Sequence, residues 1–100
     1  MNTGTTSGED HLKRVRAFVT GRVQGVGFRA WVQQLALGSE MTGEAANLAD
    51  GRVMVEVQGS VAAVEHLLAA LWQGPSMASV EDVAVNEVPV DRAESGFRIR

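Results

Sequence analysis

The sequence predicts a small α+β domain in which two helices cover one face of a β-sheet. Three observations support this prediction. Several short segments alternate between apolar and polar residues, two longer segments repeat their apolar residues every three or four positions, and glycine-containing turns separate the segments. Because 100 residues allow one hydrophobic core and little else, we expect a single domain.

The first predicted elements are a strand and a helix. Residues 13–20 alternate and predict a strand, and Phe18 on its polar face indicates that this second face is partly covered. After a glycine-rich stretch, apolar residues recur at helical spacing and predict a helix that ends between Gly38 and Met41. The apolar residues of this helix are Phe28, Trp31, Val32, Leu35 and Ala36.

The middle of the chain predicts a β-hairpin. Residues 42–48 have only a weak strand pattern, because Gly43 and two alanines interrupt it. Asp50-Gly51 is a strong turn signal, and residues 52–58 alternate cleanly after it. The two strands are therefore expected to pair with each other.

A second helix and two further strands complete the predicted elements. Gly59-Ser60 offers a cap for a helix over residues 61–71, which Gly74-Pro75 terminates. A fourth strand is expected at residues 79–90, where a change of phase indicates a bulge. Residues 96–100 are expected to form a short closing strand.

This order of elements predicts a ferredoxin-like α/β sandwich. In that plan, βαββαβ, two helices cover one face of an antiparallel sheet. The domain is expected to occupy residues 13–100. Residues 1–12 are expected to form a flexible N-terminal tail, because they offer almost nothing to bury.

Composition argues against several classes of function. The chain has no cysteine, which excludes disulfides and thiol chemistry, and no stretch approaches the roughly 18 apolar residues that span a membrane. The first residues lack the pattern of a secretory signal, so we expect a cytoplasmic protein without a membrane partner. A formal net charge of -3 and few aromatic residues argue against a nucleic-acid partner. A small acidic domain of this kind is expected to be a monomer.

The segment most informative about function is residues 21–29, GRVQGVGFR, between the first strand and the first helix. Its three glycines allow the backbone to curl with N–H groups pointing inward, beside a helix N-terminus and the guanidinium of Arg29. Together these groups suit a phosphate-sized anion. The same residues also fit an ordinary tight turn with a solvated Arg29, so two interpretations stand.

Several common catalytic designs lack their residues. His11 and His66 with scattered carboxylates make no convincing metal site, and the loop lacks the Gly-Lys-Ser/Thr ending of nucleotide-binding P-loops. If the site is catalytic, Arg29 and backbone amides could stabilise a transferring phosphoryl group, but no proton donor serves the leaving group. The substrate would then need a leaving group that departs unaided, such as the carboxylate of an acyl phosphate. Asn47 could hold the attacking water or could be a turn residue only.

Residues 21–29 closely resemble the phosphate-loop signature of acylphosphatases, and Asn47 follows Arg29 at the spacing that family uses. Similar segments continue at residues 50–53, 57–59, 74–75, 78–80 and 97–100. The resemblance implies that the protein hydrolyses acyl phosphates to carboxylate and inorganic phosphate, without a metal or another cofactor. It implies that Asn47 orients water and that Arg29 binds the phosphoryl group. The backbone amides implied to share in this binding belong to Gln24, Gly25, Val26, Gly27 and Phe28.

The sequence departs from the family pattern between Arg29 and Asn47. The family usually has glycine at the position of Glu40 and tryptophan at the position of Glu44. We therefore expect the first helix to end earlier, at Gly38, and Asn47 to be held less rigidly. The expected consequence is activity that is weaker or has an altered acyl preference.

Two alternative functions are compatible with the fold. Acylphosphatase-like domains also occur in hydrogenase maturation factors that handle carbamoyl phosphate, so the chain could be a non-catalytic accessory module that binds acyl or carbamoyl phosphate. The lack of zinc-finger-like cysteines and of a further domain favours a free-standing enzyme. Nucleic-acid binding by the sheet would need exposed aromatics, but the third strand offers Met54, Glu56 and Gln58 instead.

Overall fold

The computed structural model describes residues 11–100, so residues 1–10 of the predicted tail lie outside the described residues. The described residues form strands and helices in the predicted order. The elements are β1 (Leu12–Arg22), α1 (Phe28–Gly38), β2 (Thr42–Asn47), β3 (Val53–Ser60), α2 (Val61–Leu71), β4 (Ser79–Glu87) and β5 (Phe97–Ile99).

The strands form one sheet in the order β4-β1-β3-β2-β5. β1 pairs antiparallel with both β3 and β4, and β2 pairs antiparallel with β3, which confirms the predicted hairpin. The predicted bulge lies in the ladder between β1 and β4. Thr20 pairs with Asp82 whereas Gly21 pairs with Val80, so Glu81 between them has no partner in β1.

The ferredoxin-like α+β prediction is confirmed, but the last strand differs from the antiparallel sheet that was expected. β5 pairs parallel with β2, so the sheet is mixed. The physical reason is the path of the chain. β4 and β5 lie at opposite edges of the sheet, and residues 88–96, which we call the crossover segment, carry the chain from one edge to the other.

The hydrophobic core lies between the sheet and the two helices. Alternate residues of the central strands point toward the helices, and they pair directly across the ladder between β1 and β3. The pairs are Val15–Val57, Ala17–Val55 and Val19–Val53, and the buried helical residues above them are Phe28, Val32, Ala36, Val64, Leu67 and Leu71. Full burial of a side chain such as Leu67 contributes about 1.5–3 kcal/mol, so this layer fixes the helices on one face.

The opposite face of the sheet carries a series of ion pairs, which we call the outer charge row. Its two carboxylates, Glu44 on β2 and Glu56 on β3, lie opposite each other in the ladder, which is unfavourable for like charges. Each carboxylate lies between two arginines, which compensate the repulsion. In order across the sheet, the row consists of Arg14 and Arg16, then Glu56, then Glu44, then Arg98 and Arg100.

Arg14 and Gln58 hold the crossover segment on this outer face. Arg14 is only 6% exposed, and its guanidinium donates to the side chains of Glu94 and Gln58. The carbonyl of Arg14 accepts from Val88 at 2.9 Å. The Gln58 side chain accepts from the N–H of Asp91 at 2.7 Å and donates to the carbonyl of Asp91 at 2.9 Å. Because a buried guanidinium is unfavourable without partners, these contacts fix the path of the chain toward β5.

The hairpin turn and Phe18 agree with the sequence prediction. The turn at Asp50-Gly51 is closed by a hydrogen bond of 2.9 Å from the N–H of Leu48 to the carbonyl of Arg52. The guanidinium of Arg52 lies 4.7 Å from the ring centroid of Phe18, in a cation–π contact. The second face of β1 is therefore partly covered at this position.

Helix α1 ends at Gly38, as expected. Two residues later Glu40 has a φ of 57°, in the left-handed region that glycine adopts readily and other residues adopt at a cost of about 1 kcal/mol. The turn is held by the next residue, because Met41 is buried and its N–H donates to the carbonyl of Ala36 at 2.8 Å. The chain therefore keeps the turn conformation even though position 40 is not glycine.

Replacing Glu40 by glycine is expected to stabilise the protein. Glu40→Gly should raise the free energy of unfolding by about 0.5–1 kcal/mol, because it removes the strain of the left-handed conformation. Urea denaturation measures the change. Ala69→Gly on the exposed side of α2 is a control and should lower the free energy of unfolding by a similar amount. If Glu40→Gly also lowers it, the conformation at position 40 is not strained.

Stability is expected to fall at acid pH through the outer charge row. Burial raises the pKa of Glu56, but hydrogen bonds from Arg16 and Arg14 outweigh it and lower that pKa below its ordinary value of 4.5. A lowered pKa in the folded state means that this contribution is complete above pH 4.5 and is lost as the pH falls through the folded-state pKa. At pH 7, Glu56→Gln should lower the free energy of unfolding by about 1–3 kcal/mol, because Arg16 loses its carboxylate partner and Arg14 keeps only Glu94.

The measurement is denaturant unfolding of both proteins from pH 7 to pH 3. The difference between the original protein and the variant should shrink toward acid pH, where the protonated Glu56 resembles glutamine. A difference that stays constant over this range would contradict the ionic contribution of Glu56.

Candidate active site

The loop between β1 and α1 owes its shape to two glycines. Gly25 and Gly27 have φ values of 76° and 80°, in the left-handed region that favours glycine. A Cβ atom at either position would meet nothing within 4 Å. Glycine is therefore favoured at these positions by the backbone conformation and not by a lack of space. Gly21 has a different role, because it belongs to β1 and a Cβ there would lie 2.2 Å from the carbonyl oxygen of Ser79. Two of the three glycines in the motif therefore shape the loop.

The loop ends at the N-terminus of α1. Gly27 is the N-cap and provides no side-chain cap, and the first helical hydrogen bond runs from the N–H of Trp31 to the carbonyl of Gly27 at 3.0 Å. Among the hydrogen bonds of residues 11–100, none is donated by the backbone N–H groups of residues 24–28. These N–H groups lie at the positive end of the helix dipole, which is a favourable position for an anion.

The side chain of Gln24 ties the loop to the hairpin. Its Nε2 donates to the carbonyl of Leu48 at 2.8 Å and to the carbonyl of Arg52 at 3.0 Å. At the other end of the loop, the buried Phe28 packs edge-on against Trp31 with ring centroids 5.4 Å apart. The sequence indicated only a backbone amide at Gln24, because this anchoring role depends on contacts with residues more than 20 positions away.

Arg29 and Asn47 meet at one backbone oxygen. Arg29 is in the first turn of α1, and its Nη1 donates to the backbone oxygen of Arg100 at 2.7 Å. Asn47 ends β2, and its backbone N–H donates to the same oxygen at 3.3 Å. The two residues that the sequence indicated are thus brought together through a third, Arg100, that it did not indicate as a site residue.

The side chains at this junction differ in their surroundings. Asn47 is exposed and pairs with the buried Val53 across the hairpin, which places its side chain on the helical side of the sheet. Arg29 is partly buried, and no Asp or Glu side chain among residues 11–100 lies within ion-pair distance of its guanidinium. The guanidinium has more N–H donors than its bond to Arg100 uses, which leaves it able to bind an anion.

The two histidines lie apart from the junction of Arg29, Asn47 and Arg100. His66 is exposed on α2, and His11 precedes β1. Within the described part of the chain, neither helix is long and apolar enough to cross a membrane. The described residues therefore form a ferredoxin-like sandwich in which helix α1 begins directly after a loop whose conformation depends on two glycines.

Comparison with known proteins assigns the family. The family model described as Acylphosphatase matches residues 15–99. A relative named Acylphosphatase from Salinibacter ruber is 43% identical over 100 residues, which cover 100% of this chain and 99% of the relative. The chain therefore belongs to the acylphosphatase family, whose members are enzymes that hydrolyse acyl phosphates.

Two solved structures extend this comparison. The structure of an acylphosphatase from Coxiella burnetii has a TM-score of 0.87 and 35% identity, over 95% of this chain and 99% of that chain. Full-length HypF in its phosphate- and nucleotide-bound form has a TM-score of 0.82 and 27% identity, over 90% of this chain but only 12% of that chain. The first match spans nearly all of both chains, whereas the second spans one part of a much longer chain.

Proposed function

We propose that this enzyme hydrolyses acyl phosphates at the junction of the loop, Arg29 and Asn47, without a metal ion. The observation that carries the proposal is the backbone oxygen of Arg100, which accepts hydrogen bonds from both Arg29 and Asn47. It keeps the guanidinium, the start of α1 and the end of β2 within reach of one small substrate. Family membership supports the reaction class, and the contacts within this chain support the residue roles.

In this proposal, the loop and Arg29 bind the phosphoryl group. The backbone N–H groups of Gln24 to Phe28 donate to its oxygens, together with Nη1 or Nη2 of Arg29. The guanidinium stabilises negative charge in the transition state. Each charge-assisted hydrogen bond of this kind contributes about 1.5–3 kcal/mol.

Asn47 is proposed to orient the attacking water. The side-chain oxygen of Asn47 accepts a hydrogen bond from the water, whose oxygen forms the new bond to phosphorus. The bond between phosphorus and the acyl oxygen breaks, and the electron pair leaves with the carboxylate. The two protons of the water remain with the products as dihydrogen phosphate or pass to solvent.

The proposed residues also restrict the substrate. Neither a guanidinium nor an amide can protonate a leaving alkoxide, so phosphate esters of ordinary alcohols should react poorly. A carboxylate leaves as a stable anion and needs no proton. This difference supports mixed anhydrides of carboxylic and phosphoric acid as the substrate class.

A second candidate function is an accessory module that binds acyl or carbamoyl phosphate without hydrolysing it. The similarity to phosphate-bound HypF over 90% of this chain favours this alternative. Against it, the Salinibacter ruber relative named Acylphosphatase is matched over 99% of its length, whereas HypF is matched over 12% of its length. The enzyme therefore remains the first proposal.

Substitution of Arg29 and Asn47 should separate binding from turnover. Arg29→Ala and Arg29→Lys should each lower kcat/KM by about 10²–10³ or more and weaken competitive inhibition by inorganic phosphate. Asn47→Ala should lower kcat and leave phosphate inhibition nearly unchanged, because the amide contacts water and not the phosphoryl group. Steady-state kinetics with benzoyl phosphate measure both effects.

Arg22→Ala is the matched control, because Arg22 is an exposed arginine at the end of β1, close in sequence to the same loop. Its kinetic constants should stay close to those of the original protein. Equal loss of phosphate affinity in the Arg29 and Asn47 variants would contradict the division of roles between them.

The reaction class is tested by comparing two substrates in the presence of a chelator. Benzoyl phosphate should be hydrolysed far faster than p-nitrophenyl phosphate, and EDTA should not change either rate. Loss of activity with EDTA would contradict metal-independent hydrolysis. Binding of phosphate without turnover of benzoyl phosphate would favour the accessory module.

A further inference from the structure

We propose that Glu44 positions Arg29 for phosphate binding by holding β5 in place through Arg98 and Arg100. Glu44 does not touch the loop, so it is a positioning residue and not a catalytic one. The inference rests on the proposed function, because it assumes that Arg29 binds the phosphoryl group. It gives Glu44, Arg98 and Arg100 a role in the site, in addition to compensating the repulsion between Glu44 and Glu56.

The carboxylate of Glu44 bridges Arg98 of β5 and Arg100, the residue that follows this strand. Arg98 Nη2 donates to Oε1 at 2.8 Å, and Arg100 Nη2 donates to Oε2 at 3.1 Å. The Glu44 side chain is 14% exposed, whereas the arginine side chains are 68% and 60% exposed. Burial of the carboxylate strengthens these ion pairs relative to fully exposed ones.

β5 needs such support because it is short and lies at the edge of the sheet. It contains three residues and pairs with β2 only. Its backbone is held by a few hydrogen bonds, including one of 2.8 Å from the N–H of Arg100 to the carbonyl of Ala45. Gln33 of α1 donates to the carbonyl of Phe97 at 2.9 Å. Glu44 adds two side-chain contacts to this small set, on the face away from the helices.

Arg100, the residue that follows β5, connects these contacts to the site. The backbone oxygen of Arg100 accepts from Arg29 Nη1 at 2.7 Å and from the N–H of Asn47 at 3.3 Å. The side chain of the same residue is held by Glu44. A displacement of Arg100 therefore moves the acceptor that orients the guanidinium of Arg29. Glu44 and Arg29 are coupled through one residue, from opposite faces of the sheet.

The test is phosphate binding by Glu44→Gln, which keeps the shape of the side chain and removes its charge. The inhibition constant of inorganic phosphate should rise about 3–10-fold, as expected for the loss of two partly exposed ion pairs. The value of kcat at saturating benzoyl phosphate should change less than this, because bound substrate itself orients Arg29. Arg100→Gln should give the same result and tests the same connection if Glu44→Gln does not fold.

A double-mutant cycle tests whether Glu44 acts through Arg100. Glu44→Gln is made in the original protein and in the Arg100→Gln variant, and the inhibition constant of phosphate is measured for each. The logarithm of this constant should rise in the variant by no more than about half of its rise in the original protein. Glu65→Gln is the matched control, because it removes the exposed Lys13–Glu65 ion pair on a different part of the surface and should leave phosphate inhibition unchanged.

The outcomes distinguish this inference from the proposed function. If the original protein hydrolyses benzoyl phosphate and binds phosphate, but both variants keep its inhibition constant, the positioning role is overturned and the proposed function stands. Variants that only lose thermal stability and active fraction, with unchanged phosphate inhibition, also overturn it. If the original protein neither binds phosphate nor hydrolyses benzoyl phosphate, the proposed function fails and this inference fails with it.

Discussion

The site depends on a single backbone oxygen, that of Arg100, which accepts hydrogen bonds from the side chain of Arg29 and from the backbone of Asn47. Long arginine side chains have many rotamers, and a fixed acceptor restricts them. Without it, the guanidinium at the start of α1 would be free to extend into solvent. Because of this oxygen, Arg29 at the start of α1 and Asn47 at the end of β2, which are 18 positions apart in the sequence, bind the same atom.

This oxygen is positioned by features that lie far from the loop. β5 reaches the edge of the sheet beside β2 because the crossover segment traverses the outer face. The crossover segment follows that path because Arg14 and Gln58 bind Glu94 and Asp91. The ion pairs on the outer face are therefore connected to the geometry on the helical face.

The two departures from the family pattern have different consequences in the structure. At Glu40 the chain keeps a left-handed turn without glycine, and the helix still ends at Gly38. At Glu44 a carboxylate occupies a position where the family usually has tryptophan, and it pairs with arginines that extend from β5. The expectation that Asn47 is held less rigidly remains a prediction. The structure does provide Asn47 with a backbone hydrogen bond to Arg100 and a place in the hairpin ladder.

The sequence by itself determined the order of elements, the faces of β1 and β3, the loop and the two residues of interest. These features depend on local periodicity and on the conformational preferences of glycine, and both can be recognised from residues that are close in the sequence. Only the tertiary structure decided that β5 runs parallel to β2, that Gln24 anchors the loop through its side chain and that Arg100 joins Arg29 to Asn47. Those contacts join residues between 24 and 71 positions apart, and no local pattern encodes which distant partner completes a hydrogen bond.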